Sequence, residues 1–301
     1  MNSHTKAIWA MVGAMLIFVL SDSTVKVISQ TLGPFTQTYS RLLMASVVTV
    51  VFFYKKIRLK AFLNASPQTI KWVLLTGVIG FGFKAILLTF GLINTKLLNV
   101  SSIDSLTPLV VYFYSLFLFK TKFDIRLLSF ILISIYGVLV VSTKSLIPII
   151  SQFGIGELFI TISLFAGAVS IVGRKVLVGK LNNFEIAAYT YILAGLFVFL
   201  LTPIFGERFI FFNLNVKVSG LLLFSALCSS LGAILINYAL TKLEATLVSQ
   251  ILLTKVIFSL ALGFILFREL PLTIELLGSG IIALGVYLSN SDRSLIKEKK
   301  I

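Results

Sequence analysis

The sequence lacks most of the residues on which soluble catalysis and metal binding depend. Its 301 residues contain one histidine, His4, and one cysteine, Cys228, so histidine triads, histidine proton relays, histidine metal sites and intrachain disulfides are excluded. No GxxxxGK[ST] phosphate loop occurs, which argues against ATP-driven pumping by the chain itself. Paired aspartates spaced for a metal-bound diphosphate are also missing. We therefore expect no enzyme, no metal site and no cofactor.

Long apolar runs, by contrast, fill the chain. Hydrophobic residues make up 58% of it, and its mean hydropathy is +1.04. A hydrocarbon core about 30 Å thick takes roughly 20 apolar residues as a helix. Runs of this length predict ten spans, near 7–27, 35–54, 70–90, 98–119, 126–143, 156–173, 184–205, 217–240, 246–267 and 272–290. The predicted fold class is an all-α polytopic membrane protein with the lipid bilayer as its surroundings.

The excess of positive charge indicates how the chain is oriented. Lys and Arg number 26 against 11 Asp and Glu, for a net charge of +15. Basic loops stay on the cytoplasmic side of a membrane, so the charge needs no nucleic-acid partner. With the N-terminus inside, most loop cations are cytoplasmic, and Arg174 and Lys175 lie in one such loop. We predict a bacterial inner-membrane protein with both termini in the cytoplasm.

The two halves of the chain repeat each other. A shift of 148 residues superimposes identical residues across spans three to five and eight to ten: Ala85 on Ala233, Leu92 on Leu240, Val100-Ser101 on Val248-Ser249 and Gly137 on Gly285. Five spans per half is an odd number, so the second half enters the membrane from the opposite side as an inverted repeat. The predicted divisions are repeats at 1–148 and 149–292 and a basic cytoplasmic tail at 293–301. Such repeats favour alternating access.

Several motifs carry a family resemblance. They include Arg41 in YSRLLMASVV, Pro108 in SLTPLVVYF, the small-residue start GIGELF of span six, and the ending FILFRELPLTIELLGSGIIALGV with Glu269, Gly278 and Gly285. With this five-plus-five plan the chain resembles the EamA-type proteins of the drug/metabolite transporter superfamily over nearly its whole length. The segment LSDSTVKVISQTLG also resembles the start of bacterial S-adenosylmethionine carriers in that group.

The chain departs from the usual EamA pattern in two places. It has no proline at or beside Val256 and no acid at Thr121 or Lys122. Lys255, in LLTKVIFS, instead lies where the triose-phosphate and nucleotide-sugar branches of the superfamily carry a substrate-binding lysine. This resemblance implies an anionic substrate.

Lys255 is also the most conspicuous charge on physical grounds. It lies about 14 Å into span nine at 1.5 Å per residue, near the bilayer midplane. A charge there costs about 2.5–3.5 kcal/mol on insertion scales, so its side chain faces a partner or a water-filled cavity. The partner is the substrate, an acid on another span such as Asp22 or Asp104, or a set of backbone carbonyls.

The remaining charges within the spans sort into pairs. Lys84 and Asp104 lie at similar depth and are expected to pair, whereas Asp22 and Lys26 share one helix face four residues apart. Arg41 stays available for bidentate binding of a carboxylate or phosphate. With Lys255 it predicts a site of net positive character. Candidate polar and aromatic lining residues are Tyr39, Tyr112, Asn237, Tyr238, Gln250 and Thr254.

Small residues and one proline are expected to shape the helix contacts. Glycines in TGVIGFGF and LLGSGIIALG allow close helix approach, and Pro108 is expected to kink span four. The function we predict is secondary transport of a small anionic metabolite, phosphorylated or nucleotide-like, by alternating access. The alternatives are an EamA-type carrier of amino acids, S-adenosylmethionine or a similar zwitterion, whose cationic part meets Asp22 or Asp104, or else a channel or lipid scramblase.

Overall fold

The computed structural model describes residues 3–28, 30–58, 64–95, 100, 103–147, 154–207, 215–267 and 270–298. Within these ranges the chain is helical and forms no β-strand. The side chains of Asp22 and Lys26, and the whole of Glu269, lie outside the described residues.

The first half contributes five helices, α1 to α5. Helix α3, residues 67–94, changes geometry along its length: Pro67–Leu74 is α-helical, Leu75–Phe83 is π-helical and Lys84–Asn94 is α-helical again. A short 3₁₀ turn, Tyr54–Lys56, follows α2. The other helices are α1, Ser3–Ile28; α2, Pro34–Phe53; α4, Thr107–Phe119; and α5, Ile125–Thr143.

The second half contributes α6 to α10. Helix α9 has two segments, Ala245–Leu252 and Lys255–Phe267, joined by a turn at Leu253 and Thr254. The other helices are α6, Ile155–Leu177; α7, Asn183–Leu201, extended by the 3₁₀ turn Thr202–Phe205; α8, Val216–Lys242; and α10, Thr273–Glu298.

The helix starts follow from local side-chain chemistry. The side-chain oxygens of Ser66, Asp124, Asn182 and Asn215 accept hydrogen bonds from backbone amides in the first turns of α3, α5, α7 and α8. These amides have no partner within their own helix, so the capping side chains fix where each helix begins. Proline in the first turn of α2, α3 and α4 removes an amide that would otherwise be orphaned.

The helices around Pro108 and Arg174 refine the sequence-based expectation. Pro108 lies in the first turn of α4, because proline lacks the amide that a helix interior requires. Turn residues 105 and 106 separate α4 from residues 103 and 104, which are also helical. Helix α6 continues to Leu177, so Arg174 and Lys175 belong to a helix and not to a loop.

Most of the helices have the length and hydropathy of membrane spans. Within the described residues, eight helical stretches satisfy both criteria, in α1, α3 and α5 to α10. Helix α4 is apolar but has only 13 residues, and α2 carries Gln37 and Arg41, which lower its hydropathy. Large apolar side chains such as Trp9, Phe52 and Phe117 are exposed, as expected of a surface that faces lipid.

Helices of the first half pack mainly on helices of the second. The most extensive contacts join α1 to α8, α2 to α7, α3 to α6 and α5 to α10. Glycines allow the closest of these contacts, as expected from the sequence: a Cβ on Gly137 of α5 would lie 2.8 Å from the carbonyl oxygen of Gly278 in α10. The largest apolar cluster, which includes Met11, Ile171 and Leu247, lies between α1, α6, α8 and α9.

Polar contacts join the halves at both ends of the helix bundle. At one end, the Glu207 carboxylate after α7 accepts hydrogen bonds from the backbone amides of Phe35 and Thr36 at the start of α2, at 3.0 and 2.8 Å. At the other end, Arg58 after α2 pairs with Glu185 in α7, with 2.9 Å between Nε and Oε1. Helices α2 and α7 are therefore held together at both ends.

Candidate functional site

Arg41 is placed where three helices meet. Its Nε donates to Ser225 Oγ of α8 at 2.9 Å, and Ser21 Oγ of α1 lies 2.9 Å from the same oxygen. Ser21 and Ser225 are fully buried, whereas Arg41 is partly buried. The guanidinium is thus held between α1, α2 and α8 by a small hydroxyl network.

Lys84 and Asp104 form the expected ion pair. Lys84 Nζ lies 3.5 Å from Asp104 Oδ1, and the two side chains are 27% and 41% exposed. A Cβ on Gly167 of α6 would lie 2.8 Å from Lys84 Nζ, so the glycine leaves the space that the ammonium occupies. The pair lies at the contact between α3 and α6.

Lys255 begins the second segment of α9, and its side chain is partly buried. Hydrogen bonds from Leu253 N to Gln250 O and from Thr254 N to Ile251 O, both 3.0 Å, form a tighter turn just before it. Thr254 Oγ1 donates to Ile251 O at 2.7 Å. No proline or glycine occurs at this break, so it is not predictable from the sequence.

Gln250 lies one turn before this break and is fully buried. Neither its amide nitrogen nor its amide oxygen has a hydrogen-bond partner among the described residues. Burial of a primary amide without partners is unfavourable. Gln250 therefore stays a candidate for a polar contact that the protein alone does not satisfy.

The predicted aromatic and amide lining residues are distributed over separate contacts. Tyr39 packs in an apolar cluster with Phe35, Ile86 and Val198. The Tyr112 hydroxyl binds the backbone of Asp124 at the start of α5, accepting from N at 2.8 Å and donating to O at 3.1 Å.

Asn237 and Tyr238 lie near the end of α8. Asn237 Nδ2 donates to Asn183 O at 2.9 Å and ties α8 to the start of α7. Tyr238 packs against the apolar cluster between α1, α6, α8 and α9. Asn237 Oδ1 is buried without a hydrogen-bond partner among the described residues, and Tyr238 is partly buried. Their role as substrate ligands stays a prediction.

Arg174 is a buried cation that the sequence-based analysis placed in a loop. The residue is 7% exposed. Its Nη2 donates to Ser170 Oγ at 3.2 Å, and its guanidinium carbon lies 4.6 Å from the centroid of the Phe81 ring. Nε and Nη1 have no hydrogen-bond partner among the described residues. One signal was present in the sequence: the offset of 148 aligns Arg174 with Lys26, which lies in a predicted span.

Phe81 and Tyr191 connect this arginine with Arg41. The Phe81 and Tyr191 rings meet edge to face, with centroids 5.3 Å apart and planes at 78°. The Tyr191 hydroxyl donates to Ser229 O of α8 at 3.1 Å. Arg174 and Arg41 both lie in the neighbourhood of Tyr191. Residues of α2, α3, α6 and α7 thus place two guanidinium groups around one tyrosine.

An open depression of about 480 Å³ lies at one end of the bundle, and none of the predicted site residues lines it. Its lining residues are Arg58, Asn64, Ala65, Ser66, Thr69, Lys180 and Leu181. The described residues contain no group of three His, Cys, Asp or Glu that could hold a metal ion.

The described residues define a multi-pass, all-helical membrane protein whose charged side chains lie between its helices. The family model of the EamA-like transporter family matches residues 5–143 and 154–291. The chain belongs to this family of transporters within the drug/metabolite transporter superfamily.

Relatives of the chain share nearly its whole length. It is 27% identical to an uncharacterized transporter of Archaeoglobus fulgidus, over 97% of this chain and 99% of the relative. It is 24% identical to the uncharacterized transporter YcxC of Bacillus subtilis, over 96% and 94% of the two chains. A crystal structure described only as that of a protein superimposes with a TM-score of 0.75, at 14% identity, over 95% of this chain and 96% of that one, and so shares the fold.

Proposed function

We propose that the chain is a secondary transporter that works by alternating access, with ten spans arranged as two inverted five-helix repeats. The separate family matches at 5–143 and 154–291 support a division near residue 148. The packing of the helices supports it as well. A shift of five helices exchanges the α1–α8 contact with the α6–α3 contact and leaves α2–α7 and α5–α10 as the same pairs.

The favoured substrate is a small anion, phosphorylated or nucleotide-like, and the position of Lys255 carries this proposal. The ammonium follows the break in α9, about 15 Å from the start of that helix at 1.5 Å per residue. Interrupted helices near the midplane form the substrate sites of many transporters. A cation at that depth is stabilised when a negative group meets it, and Arg41 adds a second cation between α1, α2 and α8.

A zwitterionic substrate is the second candidate. The Asp104 carboxylate is 41% exposed although it pairs with Lys84, and it is therefore the described acid that can meet the cationic part of an amino acid or of S-adenosylmethionine. Asp22 has the same role in this proposal.

The proposed orientation has both termini in the cytoplasm of a bacterial inner membrane. The two halves then meet the cytoplasm at the Arg58–Glu185 end of the bundle. The ends of α2, α4, α6 and α8 carry Lys55, Lys120, Lys175 and Lys242 on this side, as the preference of basic residues for the cytoplasm requires.

Replacement of Lys255 tests the substrate class. In proteoliposomes, Lys255→Gln should abolish uptake of organic phosphates and other anionic metabolites, whereas Lys217→Gln, at an exposed lysine near the start of α8, should leave it unchanged. The amount of folded protein should match the wild type in both variants. If Lys255→Gln takes up anions as the wild type does and Asp104→Asn loses zwitterion uptake, the substrate is the zwitterion.

The mode of transport has its own test. An alternating-access carrier saturates with substrate and is accelerated by substrate on the opposite side of the membrane. An ohmic current in a planar bilayer would instead identify a channel, and exchange of labelled lipids between leaflets would identify a scramblase.

A further inference from the structure

Arg174 is the one Lys or Arg that is buried among the described residues, and no acid among them lies within ion-pair distance of its guanidinium. Lys84, on the same contact between α3 and α6, has Asp104 at 3.5 Å. Among the described residues, Arg174 contacts a neutral hydroxyl, Ser170 Oγ, and the face of the Phe81 ring. Aromatic contact offsets only part of the cost of removing a guanidinium from water. Its Nε and Nη1 are also left without acceptors among the described residues.

A second unsatisfied polar group lies on the same contact. Thr76 in the π-helical segment of α3 is fully buried, and its hydroxyl has no hydrogen-bond partner among the described residues. This hydroxyl lies directly against Gly173, the neighbour of Arg174 in the chain. Buried donors without acceptors are rare in native structures and call for an explanation.

We propose that Arg174 and Thr76 bind the carboxylate or phosphate group of the transported substrate between α3 and α6. This inference rests on the proposed carrier function. It adds a second anion-binding site, here called the Arg174 station, to the one proposed at Lys255. An oxyanion supplies what both residues lack, since it accepts hydrogen bonds from a guanidinium fork and from a hydroxyl and neutralises the buried charge.

The position of the two residues assigns the station to one end of the pathway. Arg174 is three residues from the end of α6 at Leu177, about 5 Å at 1.5 Å per residue. The next residue, Lys175, donates to Leu240 O and Leu243 O at the end of α8, both at 2.7 Å. Lys255 lies deeper in the bundle. The anion therefore meets Arg174 on the side that the proposed orientation makes cytoplasmic.

The glycines at this contact explain how an anion can reach Arg174. Gly77, Gly80 and Gly82 lie in the π-helical segment, and a Cβ on each would approach within 3.0 Å of α6 or α7. In the described conformation the contact is closed. Alternating access requires the two halves to separate at this contact. Because the contact is made of small residues, the helices can separate without moving large side chains. The station opens when α3 moves away from α6.

Thermal unfolding of the purified full-length protein tests the assignment. Arg174→Met keeps most of the side-chain volume and removes the charge. Without added anion its midpoint should equal or exceed that of the wild type, because removing an uncompensated buried charge is neutral or stabilising. Arg126→Met, at an exposed arginine at the start of α5, is the matched control and should not shift. A clearly lower midpoint for Arg174→Met would show a structural role and overturn the proposal.

Addition of inorganic phosphate or succinate, compared with chloride at equal ionic strength, measures binding. Either anion should raise the wild-type midpoint, and Arg174→Met and Thr76→Val should weaken the apparent affinity, by about tenfold or more for the arginine. A wild type that responds to neither anion overturns the proposal, as does an Arg174→Met variant with the wild-type response.

The Lys255→Gln variant separates this proposal from the proposed function. If Lys255→Gln loses the response and Arg174→Met retains it, the Arg174 station is wrong and the role of Lys255 stands. If Arg174→Met loses the response and Lys255→Gln retains it, the role of Lys255 is wrong and the Arg174 station stands.

Discussion

Gly80 of α3 lies so close to Ser170 of α6 that a Cβ built on the glycine would be 2.7 Å from the Ser170 Cα. Real Cβ atoms do not approach backbone at that distance, so only glycine permits this contact. The π-helical geometry of Leu75–Phe83 places Gly77 and Gly82 against α7 in a similar way. One segment of α3 thus brings the first half of the chain onto two helices of the second.

Replacing Gly80 with alanine should therefore destabilise the protein and impair transport. Overpacking of a tight contact costs about 1–3 kcal/mol, and here the contacted atoms belong to backbone, which cannot yield as a flexible side chain would. Gly280 in α10 is the matched control, because a Cβ there meets no atom within 4 Å. Gly280→Ala should be neutral or stabilising, since alanine favours helix by about 1 kcal/mol. Equal unfolding midpoints for the two variants would contradict the packing we describe.

The Lys84–Asp104 pair should contribute little to stability. Both side chains are partly exposed, and pairs of this kind contribute about 0.2–1 kcal/mol. A double-mutant cycle with Lys84→Met and Asp104→Asn, measured by chemical denaturation in detergent, should give a coupling energy in that range. Non-additivity well above it would mean that the pair is more strongly desolvated than the structure indicates.

Glu207 should stabilise the start of α2. Its carboxylate accepts from two amides in the first helical turn, where negative charge is favourable. Loss of such a cap costs about 0.5–2 kcal/mol. Glu207→Ala should lower the unfolding midpoint more than Glu207→Gln, because the glutamine amide oxygen still accepts one hydrogen bond. The reverse order would rule out capping as the role of this residue.

The proposed orientation can be measured with single cysteines. Cys228 is buried, so a Cys228→Ala background should fold and carry no reactive thiol. In intact cells a membrane-impermeant maleimide should label Leu146→Cys, in the exposed loop after α5, and should label Lys122→Cys, in the loop before α5, only after permeabilisation. Labelling of Lys122→Cys in intact cells would invert the orientation.

Much of the architecture is predictable from the sequence, because an apolar segment within a membrane can adopt few structures other than a helix. The predicted spans near 126–143 and 217–240 agree with α5 and α8 within a few residues. The Lys84–Asp104 pair follows from equal depth alone. Pro108 lies in the first turn of α4, where its missing amide is tolerated, so the helix Thr107–Phe119 begins beside it.

The candidate site was less predictable. Hydropathy ends the sixth predicted span at residue 173, so Arg174 was counted as a loop cation, although α6 continues to Leu177 and only 7% of Arg174 is exposed. Tyr112 was a candidate ligand because its hydroxyl lies in a span, yet that hydroxyl is occupied by the Asp124 backbone twelve residues further on.

The sequence by itself determined that the chain is a helical membrane protein with scarce acids, no histidine chemistry and an excess of cations within its apolar segments. These properties depend only on the composition of the chain and on the lipid bilayer around it. Only the tertiary structure decided which cation is buried without a partner of opposite charge: Arg174 lies against Phe81 and Ser170, with no acid beside it among the described residues. The reason is that charge compensation depends on contacts between helices far apart in the chain, and the crossing of α3 and α6 at Gly80 sets those contacts.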